Sequence, residues 1–488
     1  MTVRILDGQM FDAEVEARAM RASATAELER ARAEIASLRA AAERDLARAQ
    51  AEAVAARSEA ARVRSIAGLP AAAGRVTEIT GLTVRAHCPG ASLGEVVRIA
   101  RGAWQVGSAE VPAEVVGFVD DAVVLMPLGD LAGVAPGAAV TATGAPLSFA
   151  CGPALLGRVL DGLGQPLDGG PAIEGEPWPI DRAAPPAITR PAVAQPLVTG
   201  VRAIDGFCTL GQGQRLGVFA AAGVGKSTLL TQIAQAADAD VIVLGLVGER
   251  GRELGDWLDR LQAARARTVV VCATSDAPSL ARVRAASTAT AVAEYFRDQG
   301  ARVLLLVDSL TRVARAQREV GLSAGEPPAR HGYPPSVFAL LPRLCERAGA
   351  AAVGSITAIY AVLVAGNDLD EPIADEVRGI VDGHLVLDRR LAGRAHFPPI
   401  DVVASVSRMF GALATPAQQV AAAEVRRQLA IFDEHRELLA VGAYKPGSDR
   451  ALDRAIARMP AIDGFLRQDG GGAPFARTVA ELVALART

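Results

Sequence analysis

The sequence predicts an α/β protein whose core is a parallel sheet covered by helices. Between residues 197 and 410, short apolar runs alternate with longer helical segments, the pattern that parallel α/β folds produce. Of the 488 residues, 50% are hydrophobic and only 4% are aromatic, so alanine, valine and leucine must fill that core. A chain of this length exceeds a single hydrophobic core, and we expect several domains.

The first 67 residues predict a helical arm. Residues 9 to 67 contain neither glycine nor proline and are rich in alanine, glutamate and arginine. A continuous helix over that stretch would be on the order of 90 Å long. Leu28, Ile35 and Leu38 fit a heptad seam, but the spacing of apolar residues then drifts. Two interpretations stay open, a solvated charged helix and a coiled-coil or docking arm.

Composition divides the rest of the chain into three further parts. Residues 68 to 74 predict a linker, and residues 72 to 145 predict a small β-barrel, because β-branched runs such as GEVVRIA there are short and separated by turns. A Pro/Gly-rich stretch at 153–196 connects the barrel to the α/β core, which we place at residues 150 to 412. Residues 413 to 488 predict a C-terminal helical domain with a break at YKPGSD.

The α/β core contains five candidate strands. They are the apolar runs 216–219, 241–246, 268–272, 303–307 and 354–364. The carboxyl ends of parallel strands meet at one edge of a sheet, and ligands of open α/β folds bind there. The residues that follow these runs are therefore the candidates for chemistry.

The first candidate is a phosphate-binding loop. Only two of the 51 basic residues are lysines, and Lys226 lies in AAAGVGKS between a strand and a helix. Backbone N–H groups at Gly223 and Gly225 can point at phosphate oxygens, Lys226 can neutralise them, and the Ser227 hydroxyl can bind Mg²⁺. The usual pattern, GxxxxGK[ST], begins with glycine where this chain has Ala220. An ordinary strand–turn–helix junction is the alternative interpretation.

Two carboxylates follow neighbouring candidate strands. Asp308 ends the run VLLLVD, where it would hold the magnesium shell through water. Glu249 lies in VGERGRE, where it would polarise the attacking water, because phosphoryl transfer depends on positioning and on charge neutralisation. Each has an ordinary alternative: Asp308 could be a helix N-cap, and the charges around Glu249 could form a solvated loop.

An arginine follows the last strand-like run of the core. Arg408 ends SVSR, directly after IDVVAS. An arginine offered to the γ-phosphate of a neighbouring protomer would stabilise charge in the transition state. A lone arginine at a strand end is weak support, so this prediction depends on ring assembly.

Bulk properties narrow the function classes. The net charge of −3 does not indicate a polyanion-binding protein, and we predict no nucleic-acid partner. Five scattered cysteines without CxxC spacing predict free, mostly buried thiols in a reducing cytosol. The polar N-terminus shows no signal-peptide pattern, and no apolar run of about 18 residues is free of charge. We therefore predict a cytoplasmic protein that meets membranes only through partners.

These segments together resemble the type III secretion export ATPase family, with its flagellar and injectisome branches, which is related to the head of F-type ATP synthase. Matching stretches include TGVRAIDGF, GQGQRLGVFAAAGVGKSTLL, LVGERGREL and IDVVASVSR. The resemblance covers roughly residues 72 to 488. It implies an N-terminal β-barrel, a RecA-like P-loop ATPase core and a C-terminal helical domain, without separating the two branches.

The resemblance also implies roles at the phosphate end of the site. Lys226 and Ser227 match the phosphate and Mg²⁺ positions, and Asp308 matches the Walker B acid. Glu249 matches the catalytic glutamate, with Arg250 beside it. The nucleotide would contact the loop and the first helical turn: Ala222, Gly223, Val224, Gly225, Lys226, Ser227 and Thr228.

Three further residues take roles from the resemblance. Arg312 in DSLTR matches an arginine near the catalytic carboxylate, and Arg408 matches the arginine finger. Phe397 in AHFPPID aligns with an aromatic residue that packs on adenine, which offers a π-face. A core phenylalanine before a proline pair is the alternative for Phe397.

By the same resemblance, the protein hydrolyses ATP with Mg²⁺ to energise type III protein export, releasing chaperones and delivering unfolded substrates to the export gate. Glu249 and Arg408 share one chain, so identical copies could complete every site, which predicts a homohexamer. The implied partners are stator and central-stalk proteins and chaperone–substrate complexes, at the cytoplasmic face of the inner membrane.

The N-terminal arm is the largest departure from the family pattern. Residues 5 to 50 look like the start of the stator protein that normally binds this ATPase, and we hypothesise that stator-like sequence is fused here. An RNA-translocating ring ATPase of the transcription-termination type is the alternative function. Residues 75 to 145 offer it only Trp104 and Phe118 as aromatic residues and no lysine.

Overall fold

The structure, a computed structural model, describes residues 73–102, 108–364 and 368–487. The predicted helical arm at residues 1 to 67, with its stator-like hypothesis, lies outside the described residues. The described chain contains an antiparallel barrel, a large mixed sheet with helices on both faces, and a C-terminal group of helices. This arrangement confirms the fold class predicted for these parts of the chain.

Six antiparallel strands close into the barrel in the order β1-β2-β5-β4-β3-β6. They are β1 (Ala73–Thr80), β2 (Thr83–His87), β3 (Glu95–Ala100), β4 (Glu110–Val119), β5 (Ala122–Pro127) and β6 (Ala139–Pro146). Alternate side chains such as Val97 and Ile99 fill the interior. β1 begins inside the stretch predicted as a linker, because Ala73 and Gly74 pair with Thr141 and Val140 to close the barrel.

The remaining strands surround one central sheet. They are β7 (Ser148–Cys151), β8 (Val159–Asp161), β9 (Glu176–Pro179), β10 (Pro196–Leu197), β11 (Leu210–Gly211), β12 (Arg215–Ala220), β13 (Val241–Glu249), β14 (Thr268–Thr274), β15 (Arg302–Asp308), β16 (Gly349–Ala350), β17 (Ser355–Leu363), β18 (Gly383–Leu387) and β19 (Ile400–Ser407). The central order is β19-β18-β12-β17-β15-β13-β14-β8, with β16 on β17. Neighbours from β18 to β8 are parallel, whereas β19 is antiparallel to β18.

The five strands predicted for the core coincide with β12, β13, β14, β15 and β17, so the parallel α/β prediction is confirmed. Three strands of the central sheet were not predicted: β16, β18 and the edge strand β8. β8 lies within the stretch predicted as a connection, because it has only three residues and runs into a turn. Asp161 fixes that turn by accepting hydrogen bonds from the backbone N–H groups of Leu163 and Gln165.

Thirteen α-helices are defined within the described residues. They are α1 (Arg202–Phe207), α2 (Lys226–Ala236), α3 (Gly251–Arg260), α4 (Ser279–Asp298), α5 (Leu310–Ser323), α6 (Pro335–Cys345), α7 (Pro372–Ile380), α8 (Arg389–Gly393), α9 (Phe410–Leu413), α10 (Pro416–Glu434), α11 (Arg436–Ala440), α12 (Arg450–Leu466) and α13 (Phe475–Arg487). Both faces of the sheet are buried. Leu244 and Leu246 of β13 join one apolar cluster, while Val243 and Val247 join the other.

The helical C-terminal part packs against α1. Phe465 of α12 meets Phe207 edge-on, with ring centroids 6.2 Å apart, and Leu482 of α13 is fully buried in the same cluster. All five cysteines are buried, and within the described residues they form no disulfide. Among the described helices, none combines the length and apolarity that a membrane crossing requires.

Candidate active site

The phosphate loop connects β12 to α2. β12 ends at Ala220 and α2 begins at Lys226. Gly223 and Gly225 have φ angles of +79° and +102°, a backbone conformation that disfavours any side chain. The two glycines therefore fold the loop onto the start of α2, where unpaired N–H groups and the helix dipole favour an anion. Along the rest of the loop, Val224 is buried, whereas Ala222 is exposed.

The loop lysine meets the strand-end carboxylate. Lys226, at 9% exposure, forms an ion pair through Nζ with Oδ1 of the fully buried Asp308, at the end of β15. The second oxygen, Asp308 Oδ2, is buried without a hydrogen-bond partner, and so is Ser309 Oγ. Buried polar atoms normally have partners, so these two oxygens are candidates to hold a ligand or its hydration shell.

Glu249 completes this cluster from the neighbouring strand. β13 lies beside β15, with Leu246 paired to Asp308, and it ends at Glu249. The Glu249 carboxylate is 4% exposed, and Oε2 lies 2.8 Å from Nη1 of Arg312 on α5. Arg312 also donates to the carbonyl of Gly248. Adjacent parallel strands thus bring together the glutamate, the aspartate and the lysine that three separate motifs had indicated.

Burial changes the protonation of Glu249. Desolvation raises its pKa to about 8, and a hydrogen bond with Glu253 and repulsion from Asp308 act in the same direction, whereas Arg312 and Lys226 oppose the rise. The pKa of Glu253 is lowered by the same hydrogen bond. Burial and Glu253 therefore favour the protonated form of Glu249, whereas the two nearby cations favour its ionised form.

The other predicted contacts lie around the loop. Ser227 is half-buried and Thr228 is exposed on the first turn of α2. Arg250 is exposed immediately before α3, where its charge helps to hold the pKa of Glu253 low.

Phe397 separates two cavities and is not a core residue. Its side chain is 47% exposed, and its ring lies 3.9 Å from where a Cβ on Gly225 would be. One cavity of about 500 Å³ lies between the ring, the phosphate loop and α8. A second of about 500 Å³ lies between the ring, α2 and residues 468 to 470. An exposed aromatic ring beside a phosphate loop suits a planar nucleobase.

The second cavity contains residues that the sequence did not indicate. Gln232 and Gln468 line it, the first from α2 and the second from the loop between α12 and α13. The backbone N–H of Gln468 donates to the carbonyl of Phe397 at 2.8 Å, and its side-chain Nε2 donates to Gly200 at 2.7 Å. The C-terminal helical part therefore contributes one wall of this cavity.

Arg408 is not part of this cluster within one chain. It follows β19, which runs antiparallel to its neighbour, and its backbone N–H donates to Asp382 beside the start of β12. The six residues of β12 separate this edge of the sheet from the loop, a span of roughly 17 Å. The exposed Arg408 side chain thus lies at the opposite edge of the sheet from the phosphate loop of the same chain.

The oxygen atoms of Asp308 and Ser227 fit a magnesium ion whose other ligands come from the phosphates of the substrate and from water. Asp308 Oδ2 has no protein partner, and Ser227 follows Lys226 at the start of α2. Within the described residues, no group of three or more His, Cys, Asp or Glu could hold a metal ion. Magnesium in nucleotide sites is typically held by one or two protein groups together with phosphates and water, which this arrangement can provide.

Family models match three consecutive parts of the chain. The model of the ATP synthase alpha/beta family, beta-barrel domain, matches residues 76–144. The nucleotide-binding domain of the same family matches residues 200–407, and the T3SS EscN ATPase C-terminal domain matches residues 414–484. The three matches follow the observed order of barrel, sheet and C-terminal helices.

Characterised relatives match nearly their full length. The type 3 secretion system ATPase of Xanthomonas euvesicatoria is 51% identical over 398 residues, 81% of this chain and 89% of the relative. The flagellum-specific ATP synthase of Bacillus subtilis is 47% identical over 399 residues, 81% of this chain and 90% of the relative.

A solved structure matches both fold and sequence. The assembled ATPase EscN of the enteropathogenic Escherichia coli type III secretion system superposes with a TM-score of 0.80 at 42% identity, covering 85% of this chain and all of that chain. The same ATPase in complex with its central stalk EscO gives a TM-score of 0.77. These relatives do not favour the RNA-translocating alternative.

Proposed function

This chain belongs to the family of type III secretion and flagellar export ATPases, and from that premise we propose that it hydrolyses Mg²⁺-ATP to drive protein export. The proposal is carried by one observation: Lys226, Asp308 and Glu249 meet at the carboxyl edge of the sheet beside a glycine-rich loop. This is the combination of a phosphate clamp, a metal-shell carboxylate and a water-orienting carboxylate that phosphoryl transfer requires.

In the proposed reaction, the loop N–H groups and Lys226 hold the β- and γ-phosphates. Because Lys226 pairs with Asp308 in the free protein, nucleotide binding would exchange part of that ion pair for contacts with phosphate. Mg²⁺, held by Ser227 and the Asp308 shell, would neutralise charge on the phosphate oxygens. Positioning and charge neutralisation supply most of the catalysis in this type of reaction.

Glu249 would orient and polarise the attacking water. Its raised pKa makes it a better proton acceptor once it is ionised, and the positive charges of Arg312 and Lys226 favour that ionised form. Arg312, 2.8 Å from the carboxylate, would fix its orientation. Arg250 would lie at the γ-phosphate end, beside the same pair of glutamates.

Two substitutions test this assignment. Lys226→Ala removes the phosphate clamp, and Glu249→Gln removes the water-orienting charge. Each should lower the rate of ATP hydrolysis by about 10²-fold or more, the usual consequence of losing a preorganised charged group. Nucleotide binding, measured by calorimetry with ADP, should persist in Glu249→Gln.

The chain offers matched controls for both variants. Lys445 is the other lysine and is exposed, and Glu434 is an exposed glutamate on α10. Lys445→Ala and Glu434→Gln should hydrolyse ATP at the wild-type rate. A Lys226→Ala or Glu249→Gln protein that keeps its wild-type rate would rule out the assignment.

We further propose that identical copies assemble into a homohexameric ring. Arg408 lies at the opposite edge of the sheet from the loop, so it can approach a γ-phosphate only from another protomer. The solved relative EscN is described as assembled and binds a central stalk. In such a ring, each Arg408 would act as the arginine finger of the adjoining site.

The proposed partners are a central-stalk protein, stator proteins and chaperone–substrate complexes, from which hydrolysis would release and unfold the substrate. We expect the protein to be cytoplasmic and to reach the inner membrane through these partners. The stator-like arm predicts that deleting residues 1 to 66 leaves hydrolysis intact but removes a stator contact. Affinity purification of the full chain and of the deletion variant would detect that loss; identical partner sets would contradict it.

A further inference from the structure

We propose that Gln232 is a base-reading residue, whose side-chain amide donates a hydrogen bond to a ring nitrogen of the adenine of the bound nucleotide. This inference rests on the proposed ATP-hydrolysing function, because it names a contact within the same site. It adds a polar contact to the base end of a site whose predicted residues, apart from Phe397, all lie at the phosphate end.

Gln232 has an unmet hydrogen-bond donor. It lies on α2, on the helix that begins at Lys226, and its side chain is 7% exposed. Its Nε2 atom is buried and has no hydrogen-bond partner in the protein. A buried amide without a partner is unfavourable, so a ligand that brings an acceptor to this point gains a hydrogen bond at little desolvation cost.

The cavity that Gln232 lines is on the base side of the site. Phe397 borders both this cavity and the one at the phosphate loop, so a nucleotide with phosphates on the loop extends past the ring into it. The cavity, of about 500 Å³, also contains the exposed Thr228 on the same helix. A base stacked on Phe397 would present its ring edge to the polar groups along α2.

The other two glutamines of the cavity already have partners. Gln235, one turn further along α2, donates from Nε2 to the carbonyl of Arg260. Gln468 donates to Gly200 at 2.7 Å and accepts from the Arg202 N–H at 2.9 Å. Of the three amides that line the cavity, Gln232 is therefore the one whose donor is left for the nucleotide.

Adenine can supply the missing acceptor. Its ring nitrogens N1, N3 and N7 all accept hydrogen bonds at the edge of the base. Ribose hydroxyls are the other acceptors of a nucleotide within reach of the base side. A base stacked on Phe397 would turn its ring edge towards α2, and the test separates these two sources.

The test compares the full chain with Gln232→Met, which has similar length but no donor. Calorimetry with ADP should show affinity weakened about threefold to tenfold, the usual effect of one neutral hydrogen bond. Gln262→Met, at an exposed glutamine outside both cavities, should bind ADP within about twofold of wild type. Equal ADP affinity of Gln232→Met and wild type would overturn the inference.

Analogues identify the acceptor and protect the test against misfolding of the variant. The 1-deaza, 3-deaza and 7-deaza forms of ADP each lack one ring nitrogen, and 2′-deoxy-ADP lacks a ribose hydroxyl. For one deaza analogue, the affinity of the wild type should fall to the affinity that Gln232→Met has for ADP. Gln232→Met itself should bind that analogue and ADP equally well. Equal binding of every deaza analogue to wild type, or an effect confined to 2′-deoxy-ADP, would overturn the proposal.

These outcomes separate the inference from the proposed function. Suppose that the wild-type chain hydrolyses ATP, that Gln232→Met binds ADP as tightly as wild type does, and that wild type binds every deaza analogue as tightly as ADP. The base-reading role is then wrong, while the proposed function stands. If the wild-type chain binds ADP in a Gln232-dependent way but does not hydrolyse ATP, the proposed function fails alone.

Discussion

At the scale of single residues, the pKa of Glu249 depends strongly on the groups that surround it. Burial raises its pKa from the ordinary 4.5 to about 8. Between these two values the folded protein holds a proton that the unfolded chain has released, so the free energy of unfolding falls as the pH rises. Glu253 acts outside this interval, because its pKa is lowered and its effect appears below pH 4.5.

Glu249→Gln should therefore change how the stability of the nucleotide-free protein depends on pH. The glutamine stays neutral, so the melting temperature of the variant should rise relative to wild type as the pH increases from about 5 to about 8. A gain of several degrees is expected, at about 2–4 °C for each kcal/mol. Scanning calorimetry at several pH values measures it, with Glu434→Gln as the control; an offset that does not change with pH would contradict it.

The residues that local motifs could indicate differ from those that only the fold brings together. Lys226, Asp308 and Glu249 each follow an apolar run that predicts a strand, so their meeting at one sheet edge could be expected from parallel topology. Gln232 and Gln468 belong to no motif. They line the same cavity because the loop between α12 and α13 folds back onto α2, a long-range contact that no local pattern encodes.

Among the elements, β12 connects the two functional edges of the sheet. Gln214, immediately before it, is fully buried and donates from Nε2 to Ser407 Oγ at 3.0 Å and to the Asp382 carbonyl at 3.2 Å. Arg408 follows Ser407, and its backbone N–H also donates to Asp382. The strand that ends in the phosphate loop is thus fastened, at its other end, to the segment that carries Arg408.

Gln214→Ala should loosen that connection. The substitution removes the acceptor that lies 2.9 Å from the Gly211 N–H and the donor that binds Ser407 Oγ. The free energy of unfolding should therefore fall by about 2–3 kcal/mol. ATP hydrolysis should fall while ADP affinity is kept, because the loop itself is unchanged. Chemical denaturation and calorimetry measure the two effects. Gln262→Ala, at an exposed glutamine after α3, is the control, and an equal loss in both variants would contradict the expectation.

Strands with long apolar runs were predicted from the sequence, whereas short strands that exist because of pairing with a neighbouring strand were not. Each of the strands β12, β13, β14, β15 and β17 contains at least five consecutive residues that are mostly apolar. β8 has three residues, and it is a strand because Val159 and Leu160 pair with Val270 and Val271 of β14. That pairing depends on how the connection from the barrel is laid against the sheet, which composition does not specify.

At the scale of the molecule, the barrel is attached to the α/β core by an apolar contact and by a largely buried Arg–Glu ion pair. Met126 and Leu128 of the barrel pack on Leu280 and Val283 of α4. Beside them, Arg284 of α4 forms ion pairs with Glu114 of β4 and with Asp181. Burial raises the pKa of Glu114, and Arg284 is the charge that opposes this rise.

Arg284→Met should destabilise this junction strongly. The variant leaves Glu114, 6% exposed, as a buried carboxylate without its partner, at a cost of about 3–5 kcal/mol near neutral pH. The cost should shrink in mildly acidic buffer, where Glu114 can take up a proton. Urea denaturation measures it. Arg85→Met, which breaks an exposed pair with Glu78, should cost at most about 1 kcal/mol; equal losses would contradict the role of burial.

Ring assembly predicts complementation between inactive chains. In a mixture of Glu249→Gln and Arg408→Ala proteins, an Arg408→Ala protomer keeps its own glutamate and can receive an intact arginine from its neighbour. Mixed rings should regain part of the wild-type hydrolysis rate. A mixture of Glu249→Gln with Lys226→Ala, both defective on the loop side, should show no recovery. Absence of recovery in the first mixture would contradict catalysis across protomers.

The opposite placement of Arg408 and the phosphate loop also limits which assemblies can be fully active. In a head-to-tail contact, the Arg408 edge of one protomer meets the loop edge of the next, and each such contact completes one site. In an open head-to-tail oligomer, the phosphate loop of the last protomer has no neighbouring Arg408. Among head-to-tail assemblies, only a closed ring gives every nucleotide an arginine from an adjacent protomer. The rate of ATP hydrolysis per protomer should therefore increase with protein concentration and reach a plateau when closed rings have formed.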